Sequence, residues 1–192
     1  FDRPLNERGK RDAPVMAARL LEKEIPVDLF IASPAKRAAK TARIFAEAFG
    51  KSKSDIQFRD ELYLPPASVF YKVIEQVDDS IDHIALFSHN NGITDFANEL
   101  CNTRIDNIPT CGIFAIKINC VHWKDFRAAK KEFWFFDSPK STTADYSSMM
   151  GGALRLTRNT PVKMSRPAII FSMVKDSCRK RAAMMAANTG CV

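Results

Sequence analysis

Twice along the chain an apolar run stops at a polar turn and a helical pattern begins. The first runs Val27-Asp28-Leu29-Phe30-Ile31-Ala32, then Ser33-Pro34, then Ala38, Ala42, Phe45 and Phe49 on one apolar face. The second runs Ile84-Ala85-Leu86-Phe87, then Ser88-His89-Asn90-Asn91-Gly92, then Ile93, Phe96, Ala97 and Leu100 at helical spacing. A repeated strand, turn and helix constrains the chain to an α/β fold with a largely parallel sheet. If the two strands are parallel neighbours, both turns lie at the carboxyl edge of the sheet, where open α/β folds place their ligands.

The remaining pattern up to residue 140 suits that architecture. Asn6 to Ile25 reads as a helix with Met16, Ala17, Leu20 and Leu21 inward, and Pro14 predicts a late start or a kink. Ser33 supplies a capping hydroxyl and Pro34 a first helical residue for the helix through Phe49. A short strand is expected at Ile56–Phe58. Ser68 is the expected cap of a helix bearing Val69, Val73, Ile74 and Val77. Gly112 to Asn119 alternates like a strand, and Glu132 to Phe136 is a short aromatic strand.

Charge separates the chain into two parts. Residues 1–140 hold 21 Lys and Arg against 20 Asp and Glu, a net of +1, whereas residues 141–192 hold 8 against 2, a net of +6. The overall +7 therefore says little about the body. The segment 141–192 shows no sustained period and reads as a basic, linker-like or disordered tail. No apolar run approaches the roughly 18 residues of a membrane span. The five cysteines form no CxxC pair, and Cys120-Val121-His122 matches no common zinc spacing, so no metal is expected. Free thiols in a reducing cytoplasm are the default expectation.

The two turns carry the chemistry. Arg37 falls in the opening turn of one helix, and His89 stands before the other. A guanidinium fork, an imidazole and a helix N-terminus together form a site for a tetrahedral anion, most simply phosphate. A solvated helix arginine and a polar turn that happens to contain histidine are the plainer alternatives.

Six ordered blocks bear on that choice: Arg3 to Gly9, Ser33 to Ala42, Glu61 to Leu64, Ser88 to Glu99, Asn107 to Cys111 and Phe136 to Lys140. Together they resemble the SixA-type phosphohistidine phosphatases of the histidine phosphatase, or phosphoglycerate mutase-like, superfamily. The resemblance covers residues 1–140 and implies a three-layer α/β/α sandwich. It departs mildly in one turn, where the family usually has HisAsnPro and this chain has His89-Asn90-Asn91.

The resemblance implies chemistry as well. A histidine attacks phosphorus to form a covalent phosphohistidine, which water then hydrolyses, with no cofactor or metal. It makes Arg37 the residue that forks onto two phosphoryl oxygens and His89 the second pocket histidine. The backbone N–H of Asn90 assists, and Glu61 is the candidate proton donor, with a solvated strand-end carboxylate as its alternative. The substrate implied is a phosphorylated protein or a small phosphomonoester. His83 and His122 are expected to be structural or exposed.

The family's ArgHis dipeptide at the end of its first strand occurs nowhere in the chain. The resemblance enters at Phe1, so the nucleophile and a central strand are expected to lie upstream, and these 192 residues alone are expected to be inactive. The rival expectations are a non-catalytic phosphate or phosphoprotein binder and a nucleic-acid binder working through basic residues 155–181.

Overall fold

A computed structural model describes residues 1–102 and 104–141, together with the backbone of 168–174. The elements in chain order are α1 (Glu7–Leu21), β1 (Leu29–Ala32), α2 (Lys36–Ala48), β2 (Ile56–Phe58), α3 (Ala67–Glu75), β3 (His83–His89), α4 (Gly92–Leu100), β4 (Ile113–Asn119), β5 (Lys130–Asp137) and β6 (Ala168–Val174). The strands form one six-stranded sheet in the order β2-β1-β3-β6-β4-β5. β2, β1, β3 and β6 run parallel; β4 is antiparallel to both β6 and β5.

Strand alternation divides the core into two layers. Leu29, Ile31, Ile84, Leu86, Phe114 and Ile116 pack on one face with Phe70, Ile74, Ile93 and Phe96 of α3 and α4. Phe30, Ala32, Ala85, Phe87, Ile113 and Ala115 pack on the other with Met16, Leu20, Ala42 and Phe45 of α1 and α2. A strand covered on both faces has no need of polar residues, which is why β1 reads as a continuous apolar run. The α/β/α sandwich with a largely parallel sheet is the architecture expected from the sequence.

Local details differ from expectation. α1 begins at Glu7, where the Asn6 side chain accepts the Gly9 N–H at 2.8 Å, and it continues through Pro14. Pro14 lies on the solvent side, so the backbone bond it forfeits is not buried. Pro66, not Ser68, occupies the N-cap of α3. Ser33 does not cap α2, whose N-cap is Ala35 with no side-chain bond; its hydroxyl has another partner, described below.

The larger difference is β6. The sequence reading placed 168–174 in a linker-like or disordered tail and left the centre of the sheet without a strand. These seven residues instead fill that place, pairing in parallel with β3 from His83↔Ala168 to His89↔Val174 and antiparallel with β4. The physical reason is compositional. Ala-Ile-Ile-Phe-Ser-Met-Val is a β-prone apolar run, hidden within a segment whose surrounding Gly, Ser and Arg mask it. The rest of the tail beyond Ser141, including most of the basic stretch 155–181, lies outside the described residues. Among the described residues no helix is long and apolar enough to cross a membrane.

At the amino edge of the sheet Asp28 secures β3. Its Oδ2 accepts the backbone N–H of His83 at 2.8 Å and of Asp82 at 3.2 Å, and lies 3.1 Å from His83 Nδ1. Burial opposes the Asp28 charge, but the bonds from His83 and Asp82 outweigh it and hold the carboxyl below its ordinary value.

Two outcomes are expected. Ending the chain at Ser141 leaves the inner ladders of β3 and β4 open, so the cooperative thermal transition seen by circular dichroism should be lost. For Asp28 the folded pKa is lowered. Its contribution is therefore complete above the unfolded value of about 3.9 and disappears as pH falls through the folded value. Urea midpoints should fall less steeply below about pH 4 in Asp28→Asn than in the parent chain.

Candidate active site

The parallel register of β1 and β3 pairs Ala32 with Phe87, so both strands release their turns at one edge. The first turn is pinned by the Ser33 N–H, which donates to the Phe87 carbonyl at 2.9 Å. α2 and α4 open from these turns without side-chain caps. Their positive ends and first-turn N–H groups therefore belong to the carboxyl edge.

Ser33, Arg37 and His89 are buried here, at 0%, 3% and 0% exposure. His89 Nε2 and Ser33 Oγ lie 2.9 Å apart, which fixes the imidazole against the first turn. Ser33 Oγ also accepts the Ala35 N–H at 3.4 Å. The Tyr63 ring meets both candidates. Its centroid is 5.2 Å from that of His89, edge to face, and 5.8 Å from the Arg37 guanidinium carbon. Arg37 and His89, adjacent only in the fold, thus meet around one aromatic ring.

The other candidates fall differently. The Asn90 side chain ties the second turn to the loop before β4. Its Nδ2 donates to Asn107 Oδ1 and, at 3.5 Å, to the Ile108 carbonyl, while its Oδ1 accepts Thr94 Oγ1 at 2.6 Å. Glu61 lies in the short 3-10 helix Asp60–Leu62 just before Tyr63 and is exposed. His83 opens β3, six residues from His89, or about 20 Å at the usual rise per strand residue. His122 lies beyond β4 with its Nδ1 2.7 Å from Asp79. Neither is near the site. The buried Cys111 thiol, pushed up to about 12 by burial, is no neutral-pH nucleophile.

The loop carrying Tyr63 is held from below. The Ser88 hydroxyl donates to the Leu62 carbonyl at 2.8 Å, and the Pro65 carbonyl packs so closely on Gly92 that a Cβ there would collide with it. Sequence reasoning missed Ser33 as the partner of His89 and Tyr63 as their neighbour. A serine at a strand end looks like a cap, and Tyr63 stands in a loop without periodicity.

The family model described as histidine phosphatase superfamily (branch 1) matches residues 1–63. The protein histidine phosphatase SixA complexed with tungstate superposes with a TM-score of 0.61 at 18% identity, over 72% of this chain and 85% of that one. The fold is that of the SixA proteins. SixA from Agrobacterium tumefaciens gives a TM-score of 0.58 at 22% identity over 72% and 85% of the two chains. SixA from Nakamurella multipartitia gives 0.57 at 24% over 73% and 87%. No curated protein matches the sequence.

Gly92→Ala tests the support beneath the site. The new methyl group must displace the Pro65 carbonyl, so the variant should lose about 1–3 kcal/mol of stability. Denaturant unfolding measures that loss, and an unchanged midpoint would show that the loop yields freely.

Proposed function

We propose that the carboxyl-edge site binds a phosphoryl group, as part of a phosphatase acting on phosphohistidine in proteins or on a small phosphomonoester. The observation that carries this reading is the convergence of buried Arg37 and His89 beside the uncapped starts of α2 and α4. Tungstate, held by one SixA protein of the same fold, is a tetrahedral oxyanion like phosphate. Arg37 suits two phosphoryl oxygens through its planar fork, and His89 a third. The backbone N–H of Asn90 completes the same cradle.

The full reaction follows the covalent route. An imidazole nitrogen attacks phosphorus, the bond to the leaving group breaks, and the leaving group takes a proton from an acid, for which Glu61 is the candidate. Water then attacks phosphorus, the P–N bond breaks, the leaving imidazole takes a proton from the water, and phosphate is released. The attacking histidine is none of the three in this chain: His89 occupies the oxyanion role, and His83 and His122 lie elsewhere. We therefore expect these 192 residues to bind phosphate without turning substrate over.

The β6 register favours a second reading, a non-catalytic phosphoryl-binding module. The backbone position level with His89 in the adjacent parallel strand belongs to Val174, which offers no nucleophile.

Calorimetric titration with inorganic phosphate tests the shared premise. Arg37→Ala and His89→Ala should each weaken binding roughly tenfold to a hundredfold, the range for hydrogen bonds to charged groups. Phosphate release that survives both substitutions would overturn the assignment.

A further inference from the structure

The two contacts of the Ser33 side chain decide which nitrogen of His89 carries the proton. Ser33 Oγ lies 2.9 Å from His89 Nε2 and 3.4 Å from the Ala35 backbone nitrogen. A hydroxyl has one proton to donate and lone pairs with which to accept. The Ala35 N–H can only donate, so it takes up a lone pair. Ser33 is fully buried, and its hydroxyl proton cannot be passed to water. Among the described residues the acceptor that proton meets is His89 Nε2. The opposite assignment leaves a group unsatisfied. A proton on Nε2, whether the ring is neutral or charged, would point at the hydroxyl oxygen and leave a buried O–H without an acceptor, which folded proteins avoid. The Ser33 hydroxyl therefore donates to Nε2, and the neutral ring keeps its proton on Nδ1.

The backbone holds this pair in register. The Ser33 N–H donates to the Phe87 carbonyl at 2.9 Å, two residues before His89 on the same strand. The Tyr63 ring stands edge to face on the imidazole at an interplanar angle of 77° and opposes its rotation.

On the reading that Arg37 and His89 bind a phosphoryl group, we infer that Ser33 is the positioning residue that presents His89 to it as an Nδ1–H donor. A phosphoryl oxygen is negative and only accepts. A neutral imidazole offers one N–H and one bare nitrogen, and the bare nitrogen repels an oxyanion. Engaging that nitrogen with a hydroxyl turns the donor side of the ring to the anion. Arg37, buried near the start of α2, supplies the positive charge, and His89 adds a donor without a second charge for the buried site to hold.

The tautomer can be read directly in the full chain. With isotopically labelled histidine, two-bond proton–nitrogen correlation spectra separate a protonated ring nitrogen from a bare one, and His83→Gln and His122→Gln identify the His89 signals by elimination. The parent chain, with no phosphate added, should show Nδ1 protonated and Nε2 bare. Ser33→Ala should lose that pattern and weaken binding of inorganic phosphate about three- to tenfold by calorimetry, the range of one net hydrogen bond. Ser33→Thr, which keeps the hydroxyl, should retain both. A proton on Nε2 in the parent, or an unchanged tautomer or phosphate affinity in Ser33→Ala, overturns the inference and leaves the phosphoryl site standing. Where circular dichroism shows that Ser33→Ala does not fold, the parent spectrum decides. Absence of phosphate binding by a parent chain with Nδ1 protonated overturns the phosphoryl reading, and with it the role of Ser33 there.

Discussion

The parallel ladder between β1 and β3 governs the geometry of the site. It joins Leu29–Ala32 to Ile84–Phe87, and the Ser33 N–H extends it by one bond to Phe87. Parallel strands end together, so the turns that follow are brought side by side whatever the sequence between them. Ser33 and His89, 56 positions apart, thereby come within hydrogen-bond distance. Were the strands antiparallel, the same two turns would stand at opposite ends of the sheet, and the imidazole and guanidinium would never meet.

Around that edge, close packing and a few buried polar bonds together set position. The loop from Asp60 to Pro66 is too short to hold itself and takes its shape from β3 and α4. A buried serine hydroxyl satisfies the Leu62 carbonyl, and a glycine admits the Pro65 carbonyl. Close-packed contacts of this kind transmit small displacements, because neighbouring atoms have no space in which to relax. Tyr63 is thus tied to His89 through both its ring and its backbone.

β6 brings a different constraint. It joins the parallel set to the antiparallel pair β4 and β5, and it bonds on both sides. Its partners lie 53 or more residues earlier in sequence, so its place depends on pairing of high sequence separation, the costliest kind to close. The backbone position beside His89 is therefore set by a distant segment, where Val174 stands.

Local sequence alone determined much of this protein. Apolar runs at Leu29–Ala32 and Ile84–Phe87, and the helical spacing after each, specify buried strands and covering helices because burial demands that periodicity. The pairing of Arg37 with His89 was legible for the same reason, since equivalent turns of neighbouring parallel strands share an edge. Ser33 was legible as a residue but not in its role, because a cap and a histidine partner have the same local signature. Tyr63 and β6 were decided by tertiary structure alone. A loop tyrosine gains its meaning only from the ring and guanidinium that fold against it. A seven-residue apolar strand finds its place only when two open ladders offer hydrogen bonds on both sides, and no local periodicity encodes which ladders those are.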